Sequence, residues 1–361
     1  MGNAGQAKSP FQRTRPFTQP AKLSRALKLY RLRWKRRRFL VRSLRKRSEL
    51  VPKQDRTTGI KRTDILLFVT VRNEEERLPY FLDYYRRLGI DHFLFVDNAS
   101  TDGTGELLRR QDDVSLWSTD QSYRLSRFGV DWLTALQFRY GGGHWCLTVD
   151  ADELLVYPDC ETRGLADLTT EMERVGQTAL GAVMLDMFPR RSISEVVYQS
   201  GEDPIESLPW FDANGYRTQI HQTYENEWIQ GGVRDRYFFV SDPSRAPTLN
   251  KFPLVKWNRR YAYVNSTHQI LPVKLHQFLD LDTQKHVSGA LLHTKFLPSI
   301  MEKSLEELVR KQHFQNSDLY QNYHQTLAEG PDLWVETAQK YTNSHLLVEL
   351  GLISKGQLPE N

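Results

Sequence analysis

Four acids at the ends of apolar runs, Asp97, Asp150, Asp152 and Glu153, mark where this chain could do chemistry. Asp97 closes the run 92–96 (HFLFV), and Asp150 closes 145–149 (WCLTV), with Asp152 and Glu153 next in VDADELL. In an open parallel sheet, ligands bind beyond the carboxyl ends of the strands. An Asp-x-Asp turn at such an end aims two carboxylates at one point. Their oxygens are hard ligands, suited to Mg²⁺ or Mn²⁺ shared with substrate phosphates. The competing account is a solvated acidic turn. It fits poorly with a motif that has an apolar run on both sides.

The flanking segments predict the elements that hold these acids. Residues 65–71 (ILLFVTV) form a strand suited to burial on both faces. Residues 73–88 form a helix with Leu78, Phe81, Leu82, Tyr85 and Leu88 on one face, ended by Gly89. Residues 92–96 form the next strand and run into the loop DNASTDGT (97–104) and a helix over 105–110. A short strand at 114–117, a helix at 130–140 and a strand at 145–149 continue the alternation. The fold class is therefore α/β with a parallel sheet flanked by helices. Beyond Asp150 the pattern loosens. It gives helix around 171–175, strand at 179–187, long loops with short strands over 188–265, and helices at 299–315, 319–328 and 333–342.

Three motifs, TVRNEE (70–75), VDNASTDGT (96–104) and VDADE (149–153), resemble the family 2 glycosyltransferases. The likeness is to the bacterial subgroup with VRNEE and DADE motifs. It is strong over 64–160 and extends weakly to about residue 300 through GGVR (231–234) and LLH (291–293). The resemblance implies a GT-A fold, a Rossmann-like mostly parallel sheet, occupying 63–300. Its nucleotide-binding half would be 63–160 and its acceptor half 161–300, with a basic extension at 1–62 and a helical segment at 301–361. It also implies metal-dependent, inverting transfer of a sugar from a nucleotide-sugar, UDP-sugar first, to a glycan or lipid-linked acceptor, as in surface polysaccharide synthesis.

Roles follow from that resemblance. Thr70, Arg72 and Glu74 would hold the nucleotide, and Asp97 would accept a hydrogen bond from the uracil ring. Asp150 would lie by the ribose and the metal, and Asp152 would ligate Mn²⁺ or Mg²⁺. His293, at the end of 290–292, would complete the metal site, with His268 as the alternative. An acid after the glycine loop would be the general base: Asp235 first, then Glu227 and Glu225. A salt bridge to Arg234 or Arg236 is the competing account of Asp235. Trp210, Trp228, Trp257, Tyr216 and Tyr224 are candidate platforms for sugar rings.

The formal charge of +5 conceals a split. Residues 1–62 carry 20 Lys and Arg against Glu49 and Asp55, whereas 63–361 carry 29 against 42 acids. Residues 1–20 read as disordered, 21–50 as a basic amphipathic helix and 51–62 as a linker. The expected partner of 21–47 is an anionic membrane surface, with no specific nucleic acid. No apolar run approaches the roughly 18 residues of a bilayer span, and the N-terminus lacks the apolar stretch of a signal peptide. Cys146 and Cys160 suit a reducing compartment. The expected location is cytoplasmic, with peripheral contact at the inner face of the membrane. Two other readings compete: a nucleotidyltransferase or metal phosphohydrolase on a similar sheet, and a nucleic-acid-binding protein acting through the basic segment. A nucleotidyltransferase usually opens with a glycine-rich loop, and TVRNEE has no glycine.

Overall fold

The run beginning at Ile65 becomes a buried central strand, and the sheet is built outward from it. The computed structural model describes residues 9–14, 22–310 and 318–359. The strands are β1 (Val51–Gln54), β2 (Leu66–Val71), β3 (His92–Asp97), β4 (Val114–Ser118), β5 (Trp145–Thr148), β6 (Glu153–Val156), β7 (Ala179–Asp186), β8 (Asn250–Lys256) and β9 (Gly289–His293). They make one nine-stranded sheet in the order β1-β4-β3-β2-β5-β8-β7-β9-β6. The block β4-β3-β2-β5 is parallel. β8 runs antiparallel between β5 and β7. β9 is parallel to β7 and antiparallel to β6. The chain is thus α/β with a mixed sheet.

Helices cover this sheet: α1 (Lys22–Lys46), α2 (Leu78–Leu88), α3 (Thr104–Arg109), α4 (Val130–Tyr140), α5 (Leu165–Arg174), α6 (Ser299–Arg310), α7 (Asp318–Ala328) and α8 (Ser344–Glu349). α2 buries Leu78, Phe81, Leu82, Tyr85 and Leu88, and Gly89 ends it in the left-handed conformation. It begins later than the expected residue 73, because Asn73 itself is left-handed (φ 52°) and turns the chain before the helix.

Several expectations are corrected. Residues 333–342 are not helical. Gln339–Lys340 pairs with Trp210–Phe211, and the Tyr341 amide donates to the Pro209 carbonyl at 2.8 Å. Residues 51–54, read as linker, form edge strand β1. Residues 250–256, within a stretch read as long loops with short strands, form a strand in the middle of the sheet. Within the stretch read as disordered, Phe11–Arg13 pairs in parallel with Tyr216–Thr218; residues 1–8 and 15–21 lie outside the described residues. Of the helix expected over 299–315, residues 311–315 also lie outside them.

The basic segment is built into the fold. Leu32 of α1 is buried with Tyr224 and Leu271. Arg42 Nε donates to Asp131 at 2.6 Å, Ser43 Oγ donates to the same carboxylate at 3.0 Å, and Arg25 pairs with Glu225 at 2.9 Å. Among the described residues, no helix is long and apolar enough to cross a membrane.

Candidate active site at the strand ends

The first two motifs interlock. The Arg72 guanidinium donates to the carbonyls of Asn98 and Ala99 at 2.9 and 2.6 Å. The Asn73 amide donates to Ser100 Oγ at 3.0 Å, and Asn73 Oδ1 accepts from the Thr101 amide at 2.8 Å. The Glu74 amide donates to Thr104 Oγ1 at 2.8 Å. Glu75 accepts from the Gly103 amide at 2.8 Å and donates its own amide to Asp102 at 3.1 Å. Glu75 is therefore a staple between loops. Parallel pairing in register, Val71 opposite Asp97, brings the two loops side by side.

The third motif is neutralised by a lysine. Lys251, buried on β8, donates to Asp150 at 3.0 Å and also bonds Glu153. Burial pushes the Glu153 carboxyl up, against the pull of Lys251. Of the expected metal residues, Asp152 and His293 meet, whereas Asp150 is taken by Lys251. His293 lies in register with Asp186 on one side and with Glu153 on the other. Its Nε2 stands 3.2 Å from Asp152 Oδ2, and its Nδ1 is 2.6 Å from Asp186 Oδ1. Burial opposes a charge on His293, but Asp152 and Asp186 together raise its pKa. Burial would likewise raise Asp152, yet His293, Arg77 and Lys295 pull it well below the usual carboxylate range.

Asp186 had no assigned role in the sequence reading. It is buried and accepts from Arg234 Nε at 2.8 Å as well as from His293. Burial would raise it, but Arg234 and His293 hold it at about 2. The glycine loop delivers that arginine. Gly231 and Gly232 have φ of +147° and +69°, and a Cβ on Gly231 would stand 2.8 Å from the Gly215 carbonyl oxygen. The tight turn feeds Arg234 toward Asp186.

These groups face a cavity of about 380 Å³, within the range of small-molecule sites. Thr70, Arg72, Glu74, Asp150, Asp152, His268 and His293 all line it. Tyr123 and Lys295 join them, and α6 closes one side with Lys303 and Glu306. Lys303 donates to Glu74 at 2.5 Å, and Arg72 pairs with Glu306 at 3.2 Å. Asp97 is half-buried beside the cavity-lining Asn98, and its Oδ1 accepts from the Ser100 amide at 3.0 Å and hydroxyl at 2.5 Å. His268 bonds the Asn250 carbonyl at 2.7 Å, and burial and Lys251 depress its pKa to about 3.

The candidate bases are elsewhere. Asp235 is held by both terminal nitrogens of Arg217 at 2.7 and 2.8 Å. Glu227 is held by Arg13 at 2.7 Å, and Glu225 by Arg25. None of the three lines the cavity. Nor do Trp210, Trp228, Trp257, Tyr216 and Tyr224.

Asp152 and His293 fit a divalent cation. A carboxylate oxygen and an imidazole nitrogen about 3 Å apart can share one ion, and a second carboxylate on the far ring nitrogen is the usual support for a ligating histidine. Among the described residues no group of three or more His, Cys, Asp or Glu is placed to hold a metal by itself. The remaining ligands would come from phosphate oxygens and water.

No family model matches the chain, and no curated protein matches it. Solved structures with some likeness include a 4-diphosphocytidyl-2C-methyl-D-erythritol synthase. It is 16% identical, with 39% of this chain and 66% of that one covered and a TM-score of 0.24. HddC from Yersinia pseudotuberculosis is 9% identical, with 68% of this chain and 99% of that one covered and a TM-score of 0.27. At these scores neither likeness bears on function.

Proposed function

We propose that the chain is a metal-dependent, inverting glycosyltransferase that moves a sugar from a nucleotide-sugar, UDP-sugar first, to a glycan or lipid-linked acceptor. The observation that carries this reading is the pair Asp152 and His293, 3.2 Å apart at the strand ends, facing a cavity also lined by Arg72, Asn73, Glu74 and Asn98. Arg72 and Glu74 would border the nucleotide, and Asp97, next to the lining Asn98, would meet the base. Asp152 and His293 would hold Mn²⁺ or Mg²⁺; when bound, the cation supplies charge that stabilises the departing diphosphate. Lys303 and Lys295 add positive charge to the cavity lining. Buried Lys251 keeps Asp150 and Glu153 fixed while the substrate charges come and go.

The same cations and carboxylates also suit a nucleotidyltransferase, in which a sugar phosphate attacks a nucleoside triphosphate. The leaving groups differ, so one assay separates the two. With Mn²⁺ and a panel of nucleotide-sugars, the glycosyltransferase reading expects release of nucleoside diphosphate, UDP first, and its loss in Asp152→Asn. Release of pyrophosphate from a nucleoside triphosphate and a sugar phosphate, with no nucleoside diphosphate from any donor, would establish the second reading instead.

A further inference from the structure

The helix α1 has two faces, and the fold uses only one. At the 3.6 residues per turn of an α-helix, Leu23, Leu27, Tyr30, Trp34 and Val41 fall within an arc of about 60°. They are 76, 56, 58, 48 and 49% exposed. Leu32 (6%) and Ser43 (0%) point the opposite way and are buried against the body. A helix of 25 residues therefore carries an unpartnered apolar ridge along the side away from its domain.

Basic residues border the ridge. Arg31 and Arg38 lie along one side, and Arg33 and Arg37 along the other. All four are exposed, and Arg37 stacks on the Trp34 ring at 5.0 Å. Between Lys22 and Ser48 the sequence has no acid. We infer that this ridge is a fixed docking surface for an anionic lipid bilayer, with the apolar side chains entering the headgroup region and the flanking arginines meeting lipid phosphates. Charge complementarity selects the occupant: a cationic border demands an anionic surface, and large apolar side chains at its centre demand one with an apolar interior. A nucleic-acid backbone would satisfy the arginines and leave Leu23, Leu27 and Trp34 in water.

The docked face makes this more than a tether. The Arg127 guanidinium lies 4.2 Å over the Phe39 ring of α1, is bonded to Asp131 at 2.9 Å through Nε, and donates to the carbonyls of Tyr263 and Val264 at 2.9 and 3.2 Å. Ser266, two residues beyond Val264, lines the catalytic cavity. The bilayer-facing helix is thus braced against the segment that leads into the site, so membrane binding would set the orientation of the cavity as well as its location. The acidic body, with its excess of Asp and Glu past residue 62, would be held off the same anionic surface, which reinforces one orientation.

The test uses the full chain, without nucleotide, so its outcome is separate from that of the donor assay. Co-sedimentation is compared on neutral phosphatidylcholine vesicles and on vesicles that also contain phosphatidylglycerol. Partitioning at least ~10-fold stronger on the anionic vesicles, weakening as salt is raised, is expected. Leu27→Glu combined with Trp34→Glu should reduce it ~10-fold or more, with the circular dichroism and melting temperature unchanged, because both side chains stand away from the body. Arg31→Glu with Arg38→Glu should abolish the preference for anionic lipid. If a variant fails to fold, the intact protein on the two vesicle types decides. No sedimentation with anionic vesicles at low salt, equal binding to neutral ones, or tighter binding to a duplex oligonucleotide would each overturn the inference. So would a solution dimer that Trp34→Glu dissociates.

Discussion

Asp186 lies 2.6 Å from His293 Nδ1 and, being ionised, can only accept, so it fixes the proton on that nitrogen and turns Nε2 toward Asp152. On the proposed function it would be a positioning residue for His293 as a metal ligand. Asp186→Asn should weaken Mn²⁺ affinity by ~10–100-fold, the range for loss of such a partner. Titration calorimetry on the protein without donor reads this directly, and an unchanged Kd would count against the role.

On the same proposal, Asp152→Asn would remove a charged metal ligand and keep its shape. Turnover should fall by ~10²-fold or more, as when transition-state charge stabilisation is lost. Thermal unfolding should move little, since the Asp152 carbonyl, which accepts from the Thr294 amide at 2.7 Å, is untouched. Full activity at low Mn²⁺ would remove Asp152 from the site.

Asp235→Ala tests whether Asp235 can be the general base. Its carboxylate is occupied by Arg217 outside the cavity, so sugar transfer should stay within about threefold of wild type, a change of under ~1 kcal/mol in activation free energy. Stability should drop instead, because the arginine loses its partner. A large fall in kcat with an unchanged melting temperature would restore Asp235 as the base.

Lys251→Met should be strongly destabilising, by about 3–5 kcal/mol, because it strands Glu153 as a buried acid without its cation. Adding Glu153→Gln should return a substantial part of the loss. Urea unfolding of Lys251→Met, Glu153→Gln and the double variant completes the cycle, and additive losses would show that the pair is not coupled.

His276 predicts an acid limb in stability. It is buried, its Nδ1 donates to the Tyr224 carbonyl at 2.7 Å, and its Nε2 accepts from the Ile270 amide at 3.0 Å. Burial lowers its pKa from 6.5 to about 4, against the pull of the Tyr224 carbonyl. The unfolded chain therefore binds a proton that the folded chain refuses. The stabilisation is complete above 6.5 and is lost as pH falls from 6.5 to about 4, by up to ~3 kcal/mol. His276→Gln should flatten this limb in melts taken across that window. An unchanged slope would mean that other groups set it.

The parallel half of the sheet was legible because its strands are short, mostly apolar runs, two of which, β3 and β5, lead into acids. α4 matches its expected bounds, flanked by Gly129 and Gly141. β8 was not legible: it contains Pro253 and two lysines. The proline is tolerated where the register shifts between Lys251 and Leu254, and Lys251 is buried only because Asp150 and Glu153 await it. Asp186 had a readable signal, since it ends the apolar run 179–185 just as Asp97 and Asp150 end theirs. The placing of Asp235 and Glu227 had none. Their partners, Arg217 and Arg13, are brought to them only by the pairing of Tyr216–Ile220 with Glu227–Gln230 and with Phe11–Arg13.

That last pairing bears on the order in which the chain can assemble. Arg13 meets Glu227 and Asp282, 214 and 269 positions further on, and α1 meets Tyr224, Glu225 and Leu271. During synthesis Arg13, Arg25 and Leu32 therefore wait for residues 224–282 before they have these partners, although Arg42 and Ser43 can already meet Asp131. Contacts of such long sequence separation form late and slowly. The turns of α1 around Arg25 and Leu32 would meanwhile stay uncovered, free to find a surface before folding fixes the angle of the helix.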